Sequence, residues 1–144
     1  MNAAVGVKVG DRLPERVVER VDPEKMKILA ALLRDPNMIH LDPVASERAG
    51  LGRRLVNQGP INFGWVQTML AEWAGGSDRV RATRFRLLGN VHDDERVVAG
   101  GEVTGVSAGE VECAVWLDVD RDGVPQRVVS GRATVLASPL PNDR

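Results

Sequence analysis

The feature that most constrains the fold is one strongly apolar helical segment in the middle of the chain. From Asn62 to Ala74, apolar side chains cover most of the helix circumference, and only Gln67 and Glu72 interrupt them strongly. A helix that is apolar on most sides belongs in the interior of a domain. The sequence therefore predicts a central helix that the other elements must cover.

The second half of the chain predicts an antiparallel meander of four strands. Segments 79–88, 96–106, 110–119 and 126–137 favour strand, and turn-forming residues separate them. Asp122-Gly123, between the third and fourth strands, is a strong hairpin signal. One face of the third strand is uniformly small or aliphatic, as expected where a strand packs on a core; its residues are Val111, Cys113, Val115, Leu117 and Val119.

The first half predicts one strand and two helices. Residues 16–21 nearly alternate between charged and apolar side chains, which favours a half-buried strand. Asp22 then has the position of an N-cap before a helix over 23–34, and Asp35-Pro36 ends that helix. A short second helix is predicted over 43–49. The predicted buried face of the first helix consists of Met26, Leu29, Ala30 and Leu33.

These elements predict a single α+β domain over residues 1–144. With one central helix to cover it, a five-stranded antiparallel sheet must curve around that helix. Loose ends are expected at both termini, an arm over 1–9 and a polar tail over 138–144. A curved open sheet keeps two edges, and because proteins protect edges by pairing or covering them, dimerisation is also predicted.

Composition excludes several classes of function. The formal net charge of −1 argues against nucleic acid as the main partner. The single Cys113 excludes an intramolecular disulfide and is interpreted as a small core residue, while His92 lacks a second ligand at metal-binding spacing, so no metal site is predicted. No segment approaches the roughly 20 apolar residues of a membrane span, and residues 1–10 do not resemble a secretory signal. We therefore expect a cytoplasmic protein with no membrane partner.

Asp35 and His40 form a candidate acid/base pair between the first helix and the apolar segment. A carboxylate and an imidazole are common proton-transfer groups near neutral pH, and a loop lets residues five apart face one point. The spacing alone also fits a simpler interpretation. Asp35 would then end the helix, and His40 would be an ordinary loop histidine with its hydrogen bonds satisfied.

The sequence around this pair resembles the MaoC-like dehydratases, a hotdog-fold family that includes (R)-specific enoyl-CoA hydratases. The family signature is Asp-x-Asn-Pro-x-His-x-Asp, followed after about twenty residues by His-Gly-Met at the start of the central helix. The positions that match the first part are Asp35, Asn37, His40 and Asp42. Gln58-Gly59-Pro60 stands in place of His-Gly-Met. Proline occurs at Pro36 instead of at the signature's proline position, which Met38 occupies. The resemblance covers most of the chain.

The resemblance implies hydration of 2-enoyl thioesters, or dehydration of 3-hydroxyacyl thioesters, on a hotdog domain without a cofactor. Asp35 would accept a proton from water, His40 would position that water and handle the proton at C2, and the Gly59 amide would bind the thioester oxygen. The expected substrate-binding residues are Asn37, Gln58 and Trp65. Asn37 and Asp42 are also expected to support the loop through bonds to nearby backbone.

The expected substrate is an acyl-CoA or acyl-carrier-protein thioester. Two alternatives remain, a hotdog thioesterase and a subunit of a heteromeric MaoC-like dehydratase that supports an active partner. The oligomer is accordingly predicted to be a homodimer or a heteromer with a second MaoC-like chain. The basic run Arg79, Arg81, Arg84 and Arg86 is interpreted mainly as a solvated strand face, from which one or two side chains could contact coenzyme A phosphates.

Overall fold

A computed structural model describes residues 6–137 of the chain. Residues 1–5 of the predicted arm and the whole predicted tail, 138–144, lie outside the described residues, whereas Val7 already packs against the core. The helices are α1 Pro23–Leu33, α2 Pro43–Arg48 and α3 Gly59–Ala74, with short 3-10 turns at Met38–His40 and Ser77–Arg79. The strands are β1 Arg16–Val18, β2 Val80–Leu87, β3 Arg96–Ser107, β4 Glu110–Arg121 and β5 Val124–Leu136.

The five strands form one antiparallel sheet in the order β1-β3-β4-β5-β2. The last three strands of the chain form a meander of consecutive hairpins, while β1 pairs with β3 and β2 pairs with β5. The predicted hairpin between the third and fourth strands is present, and both residues of its turn, Asp122 and Gly123, have positive φ. The predicted four-strand meander is therefore correct only for its last three strands, because β2 pairs with β5 and not with β3, and β1 and β2 are the two edges of the sheet.

The core lies between the inner face of the sheet and α3. Val66 and Leu70 of α3 are fully buried, and the predicted apolar face of β4 is at most 1% exposed. Cys113 belongs to that face, and burial, together with the nearby Glu112 carboxylate, raises the pKa of its thiol to about 11. The fold is thus the predicted α+β arrangement of a curved sheet around one helix, and Cys113 is an unreactive core residue.

Two boundary predictions need correction, and one is confirmed. α3 begins at Gly59 rather than Asn62, because Pro60 fits the first turn of a helix, where no hydrogen bond from its nitrogen is needed. β1 ends at Val18 rather than residue 21, since the chain bends at 19–20 before the Asp22 cap. The predicted N-cap is confirmed, because the Asp22 carboxylate accepts a hydrogen bond from the Glu24 amide at 2.9 Å.

The predicted buried face of α1 is correct for only part of the helix. Met26 and Ala30 are buried, but Leu33 is 53% exposed and Leu29 is only partly buried. α1 makes few contacts with the sheet, and only its Met26 side turns inward, toward the start of α3. Apolar side chains at the other end of α1 therefore remain on the surface beside Asp35.

Candidate active site

Asp35 is presented by an unusual end to α1. Arg34 adopts a left-handed conformation, with φ of 51°, which non-glycine residues seldom adopt, and this reverses the chain direction. The Asp35 amide then donates to the Ala30 carbonyl at 2.9 Å. One carboxylate oxygen, Oδ1, accepts from the Asn37 amide at 3.0 Å, so Oδ2 is left to face His40. Local backbone geometry therefore orients the carboxylate.

His40 faces Asp35 through a defined ring nitrogen. Its Nε2 lies 3.4 Å from Asp35 Oδ2, and its Nδ1 lies 2.5 Å from the Val56 carbonyl oxygen. A carbonyl can only accept, so Nδ1 carries a proton in this hydrogen bond. In the neutral ring Nε2 is then the basic nitrogen, and it is the atom that can take up or release a proton beside Asp35. The residue is only 8% exposed, so the surrounding structure holds this orientation.

The segment that contains Val56 is held in place by His92, at which the sequence predicts no metal site. Val56 pairs with His92 as an isolated antiparallel bridge, and the Val56 amide donates to the Ile39 carbonyl at 3.0 Å. His92 Nδ1 contacts the Leu55 carbonyl at 3.2 Å. His92 is partly buried and supports the strand-like segment behind His40.

A partly buried ion pair anchors the turn that contains His92. Glu95 accepts a hydrogen bond from the His92 amide at 2.8 Å, and its other oxygen accepts from Arg121 Nε at 2.8 Å. Burial alone raises the pKa of the Glu95 carboxyl, but the hydrogen bonds from Arg121 and the His92 amide, with the charges of Arg121 and Arg54, outweigh it and leave this pKa below its ordinary value. Arg121 also donates to the Asn90 carbonyl at 2.8 Å, so the pair ties the end of β4 to this loop.

The Gly59 amide is a free hydrogen-bond donor at the start of α3. Pro60 has no N–H, and the amides of Ile61 and Asn62 both turn back to the Gln58 carbonyl, at 3.0 and 3.3 Å. Within residues 6–137, no group accepts from the Gly59 amide. A free amide at the N-terminus of a 16-residue helix favours negative charge, because the helix dipole adds to the hydrogen bond.

The Gln58 side chain ties the turn at the start of α3 to α1. Its Nε2 donates to the Met26 carbonyl of α1 at 2.8 Å, its Oε1 is buried without a partner, and the residue is 1% exposed. The side chain is therefore used within the protein interior, and the prediction that it binds substrate stays a prediction. Through this bond, α1, which leads to Asp35, is tied to the residue that precedes the Gly59 amide.

Two buried asparagines close the same turn, and sequence analysis did not single them out. Asn57 Nδ2 donates to Asn62 Oδ1 at 2.8 Å, and the Asn57 amide donates to the Val91 carbonyl at 2.7 Å. Both residues are at most 4% exposed. A buried polar pair on either side of Gly59 fixes the backbone there, because buried amides need partners. In the sequence, this pair is indicated by Asn62, a polar residue in a mostly apolar helix.

The other predicted site residues have structural contacts. Asn37 accepts from the Ile39 amide at 3.3 Å and starts the turn that carries His40, and Asp42 accepts from the Val44 amide at 2.9 Å as the N-cap of α2. The loop-supporting role predicted for both is confirmed. Trp65 is partly buried against the core, and its predicted substrate contact stays a prediction. The structure thus brings Asp35 and His40 together, and Gly59 follows three residues after the carbonyl that holds His40.

An open depression in the surface reaches Asp35. It is lined by Lys27, Ala30, Ala31, Asp35 and Leu41. Residues 6–137 contain no group of three or more His, Cys, Asp or Glu side chains arranged to hold a metal ion, and no helix among them is long and apolar enough to cross a membrane. The ionisable groups that line this depression are the Asp35 carboxylate and the Lys27 ammonium, and His40 lies behind Asp35 at 3.4 Å.

Comparison with known protein families classifies the chain. The profile of the MaoC like domain matches residues 4–120, which include Asp35, His40 and Gly59. The chain belongs to the MaoC-like domain family. Among curated proteins no sequence relative is detected. The site of this MaoC-like chain differs from the family signature at Gln58, as the sequence indicated.

Solved structures show the same hotdog fold. The (R)-hydratase from A. caviae involved in PHA biosynthesis is 19% identical, with a TM-score of 0.79 over 92% of this chain and 98% of that one. R-Hydratase PhaJ1 from Pseudomonas aeruginosa is 19% identical, with a TM-score of 0.77 over 99% and 95%. The ChsH1-ChsH2 complex from Mycobacterium tuberculosis has a chain 23% identical, with a TM-score of 0.76 over 90% and 98%. At these identities the likeness establishes the hotdog fold of the MaoC-like chain.

Proposed function

We propose that this MaoC-like protein catalyses the (R)-specific hydration of 2-enoyl thioesters and the reverse dehydration of 3-hydroxyacyl thioesters. The observation that carries the proposal is the 3.4 Å approach of His40 Nε2 to Asp35 Oδ2, on a loop tied by Val56 to the segment that ends in the free Gly59 amide. An enoyl thioester needs a base for water, an acid for C2 and a donor for its oxygen. These three groups supply that set.

In the hydration direction, Asp35 accepts a proton from water as the water oxygen bonds to C3. His40 holds this water, and its Nε2, which carries a proton in this step, delivers that proton to C2; Asp35 then returns the proton taken from water to Nε2 across the 3.4 Å contact, so that the elements of water are added and both groups are restored. The fixed Nδ1–H bond to Val56 supports this role, because it leaves Nε2 as the nitrogen that changes protonation. The Gly59 amide stabilises the thioester oxygen while negative charge develops on it.

The proposed substrate is an acyl thioester of coenzyme A or of a carrier protein. An apolar acyl group is supported by exposed leucines that are close to Asp35 in sequence, since Leu32 and Leu33 of α1 are 74% and 53% exposed. Asn37, Gln58 and Trp65 remain the proposed substrate-binding residues. The proposed assembly is a homodimer or a heteromer with a second MaoC-like chain, and the complex of two chains named in one similar structure supports the heteromer.

A hotdog thioesterase is the alternative activity. It would direct water at the thioester carbonyl carbon and release a free thiol, a reaction in which a carboxylate suffices as base. The paired imidazole supports hydration instead, because protonation of C2 requires a second proton-transfer group. A subunit without its own activity would keep the fold but show neither reaction.

The test uses purified protein with crotonyl-CoA and with a longer enoyl-CoA. Loss of the conjugated enoyl thioester is followed by absorbance, free thiol is titrated separately, and the product is resolved on a chiral column. Loss of absorbance without thiol, giving the (3R)-hydroxyacyl product, is expected. Thiol release without hydration would support the thioesterase, and the (3S) product would contradict the proposed stereochemistry. If neither reaction occurs, the supporting-subunit alternative is favoured.

A further inference from the structure

A three-residue segment, 55–57, is held against the turn at 91–93 by backbone and side-chain hydrogen bonds. The Asp93 amide donates to the Leu55 carbonyl at 3.2 Å, and the Leu55 amide donates to the Asp93 carboxylate at 2.9 Å. His92 Nδ1 donates to the same Leu55 carbonyl at 3.2 Å, because a carbonyl can only accept. The Leu55 carbonyl therefore receives two hydrogen bonds, one of which depends on the His92 side chain.

The opposite side of segment 55–57 faces the catalytic loop. Val56 turns its backbone groups away from the 91–93 turn, as alternate residues of an extended chain do. Its amide donates to the Ile39 carbonyl at 3.0 Å, and its carbonyl accepts from His40 Nδ1 at 2.5 Å. The same segment leads into α3, where Gly59 is the first residue. Its position therefore affects both His40 and the Gly59 amide.

The proposed reaction requires these two groups to act on neighbouring atoms of the substrate. His40 Nε2 delivers a proton to C2, while the Gly59 amide stabilises the oxygen on C1, the next carbon of the thioester. Both interactions belong to the same step, so the separation between the two groups must match the substrate. A displacement of about 1 Å can cost about 10²-fold in rate. Whatever fixes segment 55–57 therefore contributes to the rate.

The turn at 91–93 is a firm support for this segment. Val91 is fully buried in the core. The Glu95 carboxylate accepts from the His92 amide at 2.8 Å and pairs with Arg121 at the end of β4, also at 2.8 Å. His92 thus joins a turn that is anchored to the sheet with the segment that contacts His40.

We propose that His92 is a positioning residue for hydration. Through its bond to the Leu55 carbonyl, it sets the separation between His40 Nε2 and the Gly59 amide. It lies on the side of segment 55–57 opposite His40, so it acts through that segment and not on the substrate. The inference rests on the proposed function, because it assigns one more residue to the same reaction.

Nitrogen NMR of the histidine ring tests the positioning without any substrate. The chain has two histidines, so in ¹⁵N-labelled His92→Leu the only imidazole signals are those of His40. Relative to wild type, we expect the His40 ring nitrogens and the Gly59 amide to shift together. Asp94→Asn is the matched control, since it changes an exposed residue of the same turn whose carboxylate pairs with Arg20, and it should move neither signal.

Steady-state kinetics on the same samples test the consequence for the reaction. In His92→Leu, kcat for crotonyl-CoA hydration should fall by about tenfold with KM within about twofold, because the backbone bonds between segment 55–57 and the turn remain. His92→Asn restores an N–H donor near the position of Nδ1 and should recover most of kcat, which a role in packing alone would not produce. Asp94→Asn should keep the wild-type kcat.

Several outcomes would overturn the proposal. They are an unchanged kcat in folded His92→Leu, unmoved His40 and Gly59 signals, and equal losses of kcat in His92→Leu and His92→Asn. Circular dichroism establishes folding, and if His92→Leu does not fold, His92→Phe removes the same donor while keeping a ring. An inactive wild type would contradict the proposed function, whereas unmoved signals would contradict the positioning whether or not the protein is active.

Discussion

Gln58 allows the stability of the fold and the activity of the site to be separated. Gln58→Met keeps nearly the same volume but removes the 2.8 Å bond from Nε2 to the Met26 carbonyl, together with the buried, unpaired Oε1. Loss of the bond costs about 1 kcal/mol, while removal of an unsatisfied buried acceptor relieves about 1–3 kcal/mol. The free energy of unfolding is therefore expected to stay unchanged or to rise by up to about 2 kcal/mol.

Activity should respond in the opposite direction. Without the bond to α1, the turn that presents the Gly59 amide is less firmly placed, and complete loss of such a donor typically lowers the rate by about 10²–10³. Because the amide itself remains, we expect kcat for crotonyl-CoA hydration to fall by about tenfold with KM within about twofold. Urea unfolding and steady-state kinetics measure the two quantities on the same samples.

The control is Gln67→Met, which makes the same substitution at an exposed position of the same helix, where the side chain donates to Thr83 at 3.1 Å. It should leave kcat unchanged. An unaltered kcat in Gln58→Met would refute the positioning argument. A loss of several kcal/mol in stability would instead assign any loss of activity to the fold.

Two further substitutions test the structure around the site. Glu95→Gln should lower the free energy of unfolding at pH 7 by about 2–3 kcal/mol, since Arg121 loses its carboxylate but stays partly solvated. Because the pKa of Glu95 in the folded protein lies below its ordinary 4.5, the stability difference between wild type and variant is complete above about pH 4.5 and disappears as pH falls through that folded-state pKa. A stability difference in urea unfolding that stays constant across this pH range would contradict the prediction. Gly131→Ala places Cβ 2.3 Å from the Arg84 carbonyl oxygen and should lower the free energy of unfolding, measured by calorimetry, by about 2–3 kcal/mol. Its control is Gly105→Ala, where the nearest atom is 3.5 Å from the added Cβ and the expected loss is less than about 1 kcal/mol. Equal losses in the two variants would contradict this packing.

The fold was predictable because its main elements bury one face or nearly all of their surface. The alternation in β4 and the apolar circumference of α3 report burial directly, so both elements were identified with errors of a few residues at their ends. α1 was harder, because leucines and isoleucine lie on several of its sides. Its periodicity could not reveal that only Met26 and Ala30 turn inward, a choice made by the neighbouring elements.

The site was predictable where side chains carry the chemistry and unpredictable where the backbone does. The spacing of Asp35 and His40 and their match to the family signature are visible in the sequence, and the structure sets the two side chains 3.4 Å apart. The groups that orient them are backbone carbonyls and amides, such as the Val56 carbonyl. Because backbone groups occur at every position, the residue type does not show which of them orients a side chain. The contribution of His92 also depends on a contact with Leu55, 37 residues away.

A double-mutant cycle on hydration tests most directly whether Asp35 and His40 act as one catalytic unit. Initial rates with crotonyl-CoA are compared for wild type, Asp35→Asn, His40→Gln and the double variant, with equal folded fractions established by circular dichroism. Each single substitution should lower kcat by at least about 10²-fold, and the double variant should be nearly no slower than the slower single variant. Near-normal rates in the single variants, or losses that multiply in the double variant, would contradict the account.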